Sequence, residues 1–302
     1  MFSTIQWLSH PIVELEFIRQ HYERSVFHAA RHSPDYYAQT LSLGDIDALL
    51  TLSSDALEKC FAIKQGYASQ PFDSLTNSSN AFAKSRSAHM QVTRRLQNGY
   101  SLVFNGIHDF FPSVQRLVSQ VELELCARVQ ANLYISPRGA QGLSTHFDFH
   151  DAFILQVHGR KQWRLYEKIA HNPDPNMPDI QAKLQQASGA KLTQELTLEQ
   201  GDMLYIPRGV VHDAYTNNKD SLSAHITLGV TPPKIKDIIR LLKAESYKTD
   251  FFKQSIDMAL QEQVSMTQLE PQFKDELMAL VDSFSLEQWL DKLRVHFKEA
   301  YS

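Results

Sequence analysis

The feature that most limits the fold of this 302-residue chain is a run of short apolar segments between residues 127 and 230. Turn-forming sequences such as His158-Gly159 and Glu199-Gln200-Gly201-Asp202 separate these segments. The candidate strands are Ala127–Ile135, Phe153–His158, Gln162–Tyr166, Leu192–Leu196, Asp202–Ile206 and Ser221–Leu228. Many short strands joined by tight turns predict an all-β core of two stacked sheets, a double-stranded β-helix or jelly roll, rather than a parallel sheet.

Helical patterns precede this run. Apolar residues continue at helical spacing from Pro11 to Tyr22, and Asp45–Leu50 predicts a second helix capped by Ser42 or Asp45. Tyr100–Phe104 predicts a further strand and Phe111–Leu125 a further helix. We therefore expect three parts: a mostly helical N-terminal elaboration, the jelly-roll core and a C-terminal helical region, at residues 1–98, 99–232 and 233–302.

The C-terminal region carries amphipathic stripes. After Thr231-Pro232-Pro233, the residues Ile235, Ile238, Ile239 and Leu242 follow the i, i+3, i+4, i+7 pattern, and Leu286, Trp289, Leu290 and Leu293 repeat it. These stripes offer more apolar surface than two or three short helices can hide among themselves. They predict a homodimer with an interface mainly in residues 234–302; alternatively, the helices pack only onto their own barrel.

Composition narrows the class of protein. The chain is 43% hydrophobic and 21% charged, with a net charge of −4, so we expect no direct nucleic-acid binding. No signal peptide or membrane span is evident. Its two cysteines, Cys60 and Cys126, form neither a disulfide framework nor a zinc pattern and are expected to be buried free thiols. The expected location is the cytoplasm.

Three residues carry the chemistry. His146 and Asp148 lie two positions apart, so on a strand both side chains face the same side, and His212 follows the turn Pro207-Arg208-Gly209. Two imidazoles and one carboxylate can occupy one face of a metal, as in the non-haem Fe(II) oxygenases. The alternative is a surface pair and a packed core histidine, since thirteen histidines make such spacing common by chance.

From about residue 98 to 230 the chain resembles the JmjC-type cupins, in particular the ribosomal-oxygenase branch of the 2-oxoglutarate-dependent oxygenases. The segment Leu41–Asp47 resembles that branch more weakly. The resemblance is carried by Asn132–Pro137, His146–Gln156, Gly159–Tyr166, Gly201–Gly209 and His225–Gly229.

The resemblance implies a role for each site residue. His146, Asp148 and His212 match the Fe(II) ligands, and Lys161 matches the cation that pairs with the distal carboxylate of 2-oxoglutarate. Asn132, Tyr134 and Thr227 match polar residues of the cosubstrate pocket. A narrow barrel that holds a dicarboxylate needs a cation at its far end, although Lys161 could equally be a solvated charge on a strand.

The implied activity is hydroxylation of a side chain in a protein or peptide, with Fe(II), 2-oxoglutarate as cosubstrate and dioxygen. Alternatives are a small-molecule hydroxylase acting on an amino acid, an N-methyl demethylase and a non-catalytic cupin that binds a ligand. The roughly 70 residues after Pro233 are short for both the dimerisation region and the winged helix of that branch, which leaves the substrate open.

Five further residues have two interpretations each. His150 and Asp151 line the substrate mouth or are solvated turn residues. Arg138 and Arg208 contact substrate or are surface charges. His225 alternates with Ser223 and Thr227, so it is a packed strand histidine or an inward-facing neighbour of the site.

Overall fold

The computed structural model describes residues 3–52, 59–68, 81–255 and 266–299. The polar loop predicted at Thr76–Asn80 lies outside these residues. The chain forms two compact units, residues 1–231 and 232–302, which are described separately below. Within the described residues, no helix is both long and apolar enough to cross a membrane.

The first unit is built on two antiparallel sheets. The larger has the order β1-β9-β6-β11-β5-β4-β2-β3, and the smaller has the order β10-β7-β8. This arrangement confirms the predicted double-sheet core. The strands are β1 (Phe27–Ala29), β2 (Cys60–Lys64), β3 (Tyr67–Ala68), β4 (Ser101–Phe104), β5 (Arg128–Ser136), β6 (Asp151–His158), β7 (Lys161–Lys168), β8 (Leu192–Leu198), β9 (Met203–Ile206), β10 (Val210–Tyr215) and β11 (Ser223–Thr231).

Alternating side chains give the large sheet two different faces. On its outer face, Leu133 and Phe153 join a large apolar cluster with the helices that cover the sheet. On its inner face, Ile154 of β6 packs with Trp163 of β7 and Leu204 of β9, which closes the barrel between the sheets. Successive strand residues point to opposite sides. A single strand therefore contributes alternate residues to the apolar cluster under the helices and to the one between the sheets.

The helices lie before, between and after the strands. α5 begins with Pro112, which suits a first helical turn, and ends at Cys126 in the left-handed region. At α3, Ser42 and Asp45 each accept a hydrogen bond from the other's backbone N–H, as the predicted cap requires. The helices are α1 (Thr4–Ser9), α2 (Glu14–Gln20), α3 (Leu43–Leu52), α4 (Ala81–Gln97), α5 (Pro112–Leu125), α6 (Ile180–Gln186), α7 (Ile235–Ser246), α8 (Met266–Asp282) and α9 (Leu286–Glu299).

The N-terminal segment belongs to the sheet as well as to its helical cover. β1 pairs with β9, and β2 pairs with β4. Phe17 of α2 packs against Phe153 and Tyr205, with ring centroids 5.6 and 5.1 Å away. Helical spacing therefore misses three strands in this segment, each of which obtains its pairing from a distant partner.

In the second unit, α7 has the predicted apolar stripe but buries none of its residues. Ile235 and Ile239 are 85% and 68% exposed. In α9, Phe297 is buried. The unit thus has an exposed apolar face, as the sequence predicts.

Candidate metal centre

The three predicted ligands meet at one point of the barrel mouth. His212 is the third residue of β10, and His146 lies in the irregular segment 137–150 between β5 and β6. A single antiparallel bridge joins the two, with His212 N donating to His146 O at 2.7 Å and His146 N to His212 O at 3.1 Å. The expectation that His146 and Asp148 share a strand is therefore wrong: the bridge, not a continuous strand, orients this segment.

Both imidazoles present the same nitrogen to the carboxylate. His146 Nδ1 lies 2.7 Å from Ser144 O, and His212 Nδ1 lies 3.0 Å from Val210 O. Carbonyl oxygens only accept, so each Nδ1 donates, and in the neutral ring each Nε2 then keeps a free lone pair. The Nε2 atoms lie 3.8 and 3.6 Å from the two oxygens of Asp148, and one ligand atom from each residue falls within 4.8 Å of the others.

The electrostatics suit a bound cation. Burial lowers the pKa of His212 to about 4, with His146 lowering it further, so the His212 imidazole is neutral near pH 7. Burial raises the pKa of Asp148, but His212, His150 and His146 lower it by more, and the carboxyl is ionised. Neutral imidazoles and an anionic carboxylate are the protonation states that ligate a divalent metal.

The donor set fits a metal better than it fits an ion pair. Neither Nε2 is close enough to Asp148 for a hydrogen bond, because 3.6 Å exceeds the usual limit. Three possible ligand atoms thus converge without a hydrogen bond between them. Two histidines and one carboxylate on one face leave the opposite positions open, which is the arrangement of non-haem Fe(II) sites.

A glycine turn holds Asp148 in place. Gly209, in the turn between β9 and β10, donates its N–H to Asp148 O at 3.0 Å. Its φ is +82°, and a Cβ at this position would lie 1.9 Å from Ala170 O. Only glycine fits here, so the sequence Pro207-Arg208-Gly209 shapes the site as well as the turn.

Lys161 lies deep in the barrel at the start of β7. It is 4% exposed, and its Nζ donates to Ser136 Oγ at 2.7 Å, which in turn lies 2.8 Å from Ser101 Oγ. Among the described residues, no carboxylate pairs with it, and burial lowers its pKa to about 7. A buried amine without a counter-ion is costly, so this position favours an anionic ligand.

The other predicted pocket residues lie on neighbouring inward-facing positions. Asn132 and Tyr134 of β5 are paired in register with Thr227 and His225 of β11. The Tyr134 ring stacks on His225 at 4.8 Å with 4° between the planes, and Asn132 Oδ1 accepts from Gly106 N at 3.1 Å. His225, Thr227 and Ser223 share this face. Burial lowers the pKa of His225, and the nearby Lys161 lowers it further.

Several buried polar atoms around Lys161 have no protein partner. Trp163 Nε1 and His225 Nδ1 belong to rings 5.6 Å apart, and Gln156 Oε1 is also unpaired. Buried polar atoms normally find partners, so this interior is built to be completed by a polar ligand. The oxygens of a small dicarboxylate can accept hydrogen bonds from Trp163 Nε1 and from the N–H groups of Lys161 that do not donate to Ser136.

The remaining candidates lie elsewhere. Asp151 and Arg208 are neither solvated nor at the mouth: they form a buried ion pair at 2.8 Å that also includes Glu23. Arg138 is exposed. His150 is half-buried, and a Cβ on Gly229 would lie 3.1 Å from its ring, so glycine leaves room for this imidazole beside the site.

Two residues were missed by the sequence reasoning. Ser136, the partner of Lys161, continues the inward alternation of Asn132 and Tyr134 and could have been found from it. Asp213 accepts three side-chain hydrogen bonds beside His212, and its partners are too distant in sequence for any local pattern to reveal.

Comparison with known proteins agrees with this geometry. Residues 107–238, less than half of the chain, match the JmjC domain family. The chain is 34% identical over 224 residues to ribosomal oxygenase 1 of Gallus gallus, covering 74% of this chain and 36% of that protein. It is 31% identical over 233 residues to the bifunctional lysine-specific demethylase and histidyl-hydroxylase NO66 of Drosophila mojavensis, covering 75% and 24%. The chain thus spans about a third or less of the length of these relatives.

The fold also matches a solved structure. The ribosomal oxygenase YcfD of Escherichia coli, in complex with cobalt and 2-oxoglutarate, superposes with a TM-score of 0.51 at 18% identity, over 80% of this chain and 57% of that chain. At this identity the likeness shows the fold alone. The sequence matches place residues 107–238 in the JmjC domain family and support its ribosomal-oxygenase-like branch.

Proposed function

We propose that this chain is an Fe(II)- and 2-oxoglutarate-dependent oxygenase that hydroxylates a side chain of a protein or peptide. The observation that carries the proposal is the convergence of two imidazole Nε2 atoms and one carboxylate in a barrel that also holds a buried lysine with no carboxylate partner among the described residues. The relatives' names, which specify ribosomal oxygenase and histidyl-hydroxylase, support a protein substrate.

In this proposal His146, Asp148 and His212 hold the metal. With 2-oxoglutarate, Fe(II) supplies the oxidising chemistry: one oxygen atom of dioxygen enters a C–H bond and the other enters succinate, with release of carbon dioxide. The protein supplies fixed ligands. Because the two Nδ1–H groups donate to Ser144 O and Val210 O, both rings already present Nε2 and need no rotation before they ligate.

Lys161 binds the distal carboxylate of the cosubstrate, with Ser136 orienting its amine. Bringing a dianion beside this amine favours its protonated form, so cosubstrate binding restores the charge that burial opposes. Tyr134, Asn132 and Thr227 line the same inner face and bound the space in which the cosubstrate lies.

The test is turnover of 2-oxoglutarate by the purified protein with added Fe(II). We expect succinate formation that His212→Ala abolishes while the variant keeps its secondary structure. Comparative proteomics of cells with and without the gene should reveal a lost modification of +16 Da. Loss of methyl groups from a substrate would instead favour an N-methyl demethylase. Hydroxylation of a free amino acid would favour a small-molecule hydroxylase. Absence of 2-oxoglutarate turnover would favour a non-catalytic cupin that binds a ligand.

We also propose a homodimer whose interface is built mainly from residues 234–302. The exposed faces of α7 and α8 support it, since Ile235, Ile239 and Met278 are each more than half exposed. Light scattering at tens of micromolar should give the mass of a dimer, and truncation after Pro233 should give a monomer or an insoluble protein. A full-length monomer would exclude the dimer.

A cytoplasmic location completes the proposal. Cys60 is buried and Cys126 half-buried, and both are free thiols, as is usual where glutathione keeps thiols reduced. Burial raises the pKa of Cys60, so its thiol is protected from reaction. Fractionation with a tagged chain tests the location, and recovery in a membrane or extracellular fraction would contradict it.

A further inference from the structure

Asp213 follows His212 on β10 and is a buried acceptor of three side-chain hydrogen bonds. Its side chain is 0% exposed. Thr145 Oγ1 donates to it at 2.7 Å, Arg164 Nε at 2.7 Å and Tyr166 OH at 2.8 Å. It is not a member of the converging ligand set.

The strand register explains why these groups meet. His146 lies opposite His212 in the antiparallel bridge, so Thr145 lies opposite Asp213 one position along. On the other side of β10, Asp213 is in register with Arg164 of β7. Since successive residues point to opposite faces, His212 faces the barrel interior and Asp213 faces outward with Arg164. One carboxylate therefore joins three neighbouring chain segments.

Near the ligands, few described hydrogen bonds attach the segment that carries His146 to the turn and strand beside it. They are the backbone bridge to His212 and the Gly209 N–H to Asp148 O, in addition to the bond from Thr145. Phe147 also packs in a buried apolar cluster with Val211 of β10, which anchors the segment but not the His146 ring. The His146 side chain is less enclosed than its partner, at 27% against 6% exposure for His212, so packing constrains the His146 imidazole less.

We propose that Asp213 is a positioning residue that holds His146 in register with His212 through the hydroxyl of Thr145. Arg164 and Tyr166 fix the carboxylate from the β7 side, and Thr145 transmits that position to the ligand segment. The metal site is then set before a metal binds, which lowers the cost of ordering it. This inference rests on the proposed metal centre.

The test is to titrate Co(II) into the metal-free full-length chain and to measure its binding by the visible d–d absorption of the metal. Thr145→Val keeps the shape of the side chain and removes only the hydroxyl, so Arg164 and Tyr166 still satisfy Asp213. We expect Co(II) to bind about tenfold more weakly and its absorption to change, the scale for losing an outer contact of a metal site. The melting temperature of the metal-free protein should change little.

Thr197→Val is the matched control. Thr197 lies on β8 of the same small sheet, which pairs with β7 and not with β10, and its hydroxyl donates to Gln162 Oε1 at 2.7 Å. We expect wild-type Co(II) affinity and absorption. Asp213→Asn, which can still accept from Arg164 and bond to Thr145, should retain more affinity than Asp213→Ala.

The outcomes separate the two proposals. Wild-type Co(II) affinity and spectrum in Thr145→Val would overturn the positioning role and leave the metal centre intact. Equal losses in the Thr145 and Thr197 variants would also overturn it, because the effect would then be general to the sheet. If the wild-type chain bound no Co(II), the proposed metal centre would be rejected, and the positioning role would be rejected with it.

Discussion

Lys161→Met should stabilise the protein while it removes cosubstrate binding. Lys161 is 4% exposed and its only described side-chain partner is Ser136, which keeps Ser101 as a second partner. Methionine has a similar length and no charge to desolvate. Replacing a buried charge with an apolar residue of similar volume often stabilises a fold.

The magnitude follows from the pKa. Burial lowers the pKa of Lys161 from 10.5 to about 7, which corresponds to about 5 kcal/mol of destabilisation in the protonated state. Losing the hydrogen bond to Ser136 costs the variant about 1 kcal/mol. A net gain of roughly 4 kcal/mol would raise the melting temperature by about 8 to 16 °C for a chain of this size.

The pH dependence has a definite sign. Below pH 7 the amine is protonated in both the folded and unfolded chain, so the full penalty is present in the wild type. Between pH 7 and 10.5 the unfolded chain holds the proton and the folded chain does not, so wild-type stability rises relative to the variant. By about pH 9, the difference in unfolding free energy between the two proteins should be less than half of its value at pH 6.

The assay is denaturant unfolding of the metal-free proteins at pH 6 and pH 9, with 2-oxoglutarate affinity measured on the metal-loaded proteins. Lys191→Met, at an exposed lysine, is the control and should change neither. Destabilisation by Lys161→Met, or a gain that does not depend on pH, would refute the burial argument. Unchanged 2-oxoglutarate affinity would place the anchor elsewhere.

Three further predictions concern the metal ligands and their supports. His212→Ala should abolish Co(II) binding with little change in circular dichroism, because the apolar core does not include the metal. Arg208→Met should lower the free energy of unfolding by about 3 to 5 kcal/mol in urea, since it leaves Asp151 buried without its partner. Gly209→Ala should reduce both stability and Co(II) affinity, because the added Cβ collides with Ala170 O and shifts the turn that holds Asp148.

Arg208→Met and Gly209→Ala each have a control variant. Arg138→Met, at an exposed arginine, should leave unfolding unchanged. Gly189→Ala places its Cβ where no atom lies within 4 Å, so stability and metal affinity should be retained. Wild-type Co(II) affinity in His212→Ala would reject that ligand, and a stable Arg208→Met would show that the buried pair contributes little.

The sequence predicts the parts of this fold whose pattern is local. Short apolar segments between turns identify β4, β5, β6, β7, β8, β9 and β11, and in β5 and β7 buried and less buried residues alternate. The candidate metal ligands His146, Asp148 and His212 are suggested by residue type and spacing, which also allow a surface pair and a packed histidine. The resemblance to the JmjC-type cupins is what favours ligation.

The parts that were missed depend on partners distant in sequence. β1 is three residues long and carries no readable period; its register comes from β9. β10 begins directly after a glycine turn, and its buried Asp213 interrupts the apolar pattern. Arg208 looks like a turn residue because its partners, Asp151 and Glu23, lie 57 and 185 positions away.

The pairing of β1 and β2 with the main sheet decides how this protein can be dissected. A fragment that begins near residue 99 would lack both strands, and β9 and β4 would then each present an open edge of unpaired amide and carbonyl groups. Open edges of that kind add strands from neighbouring molecules and promote aggregation. A shortened barrel that remains soluble therefore has to keep the N-terminal strands, even though none of the metal ligands lies in them.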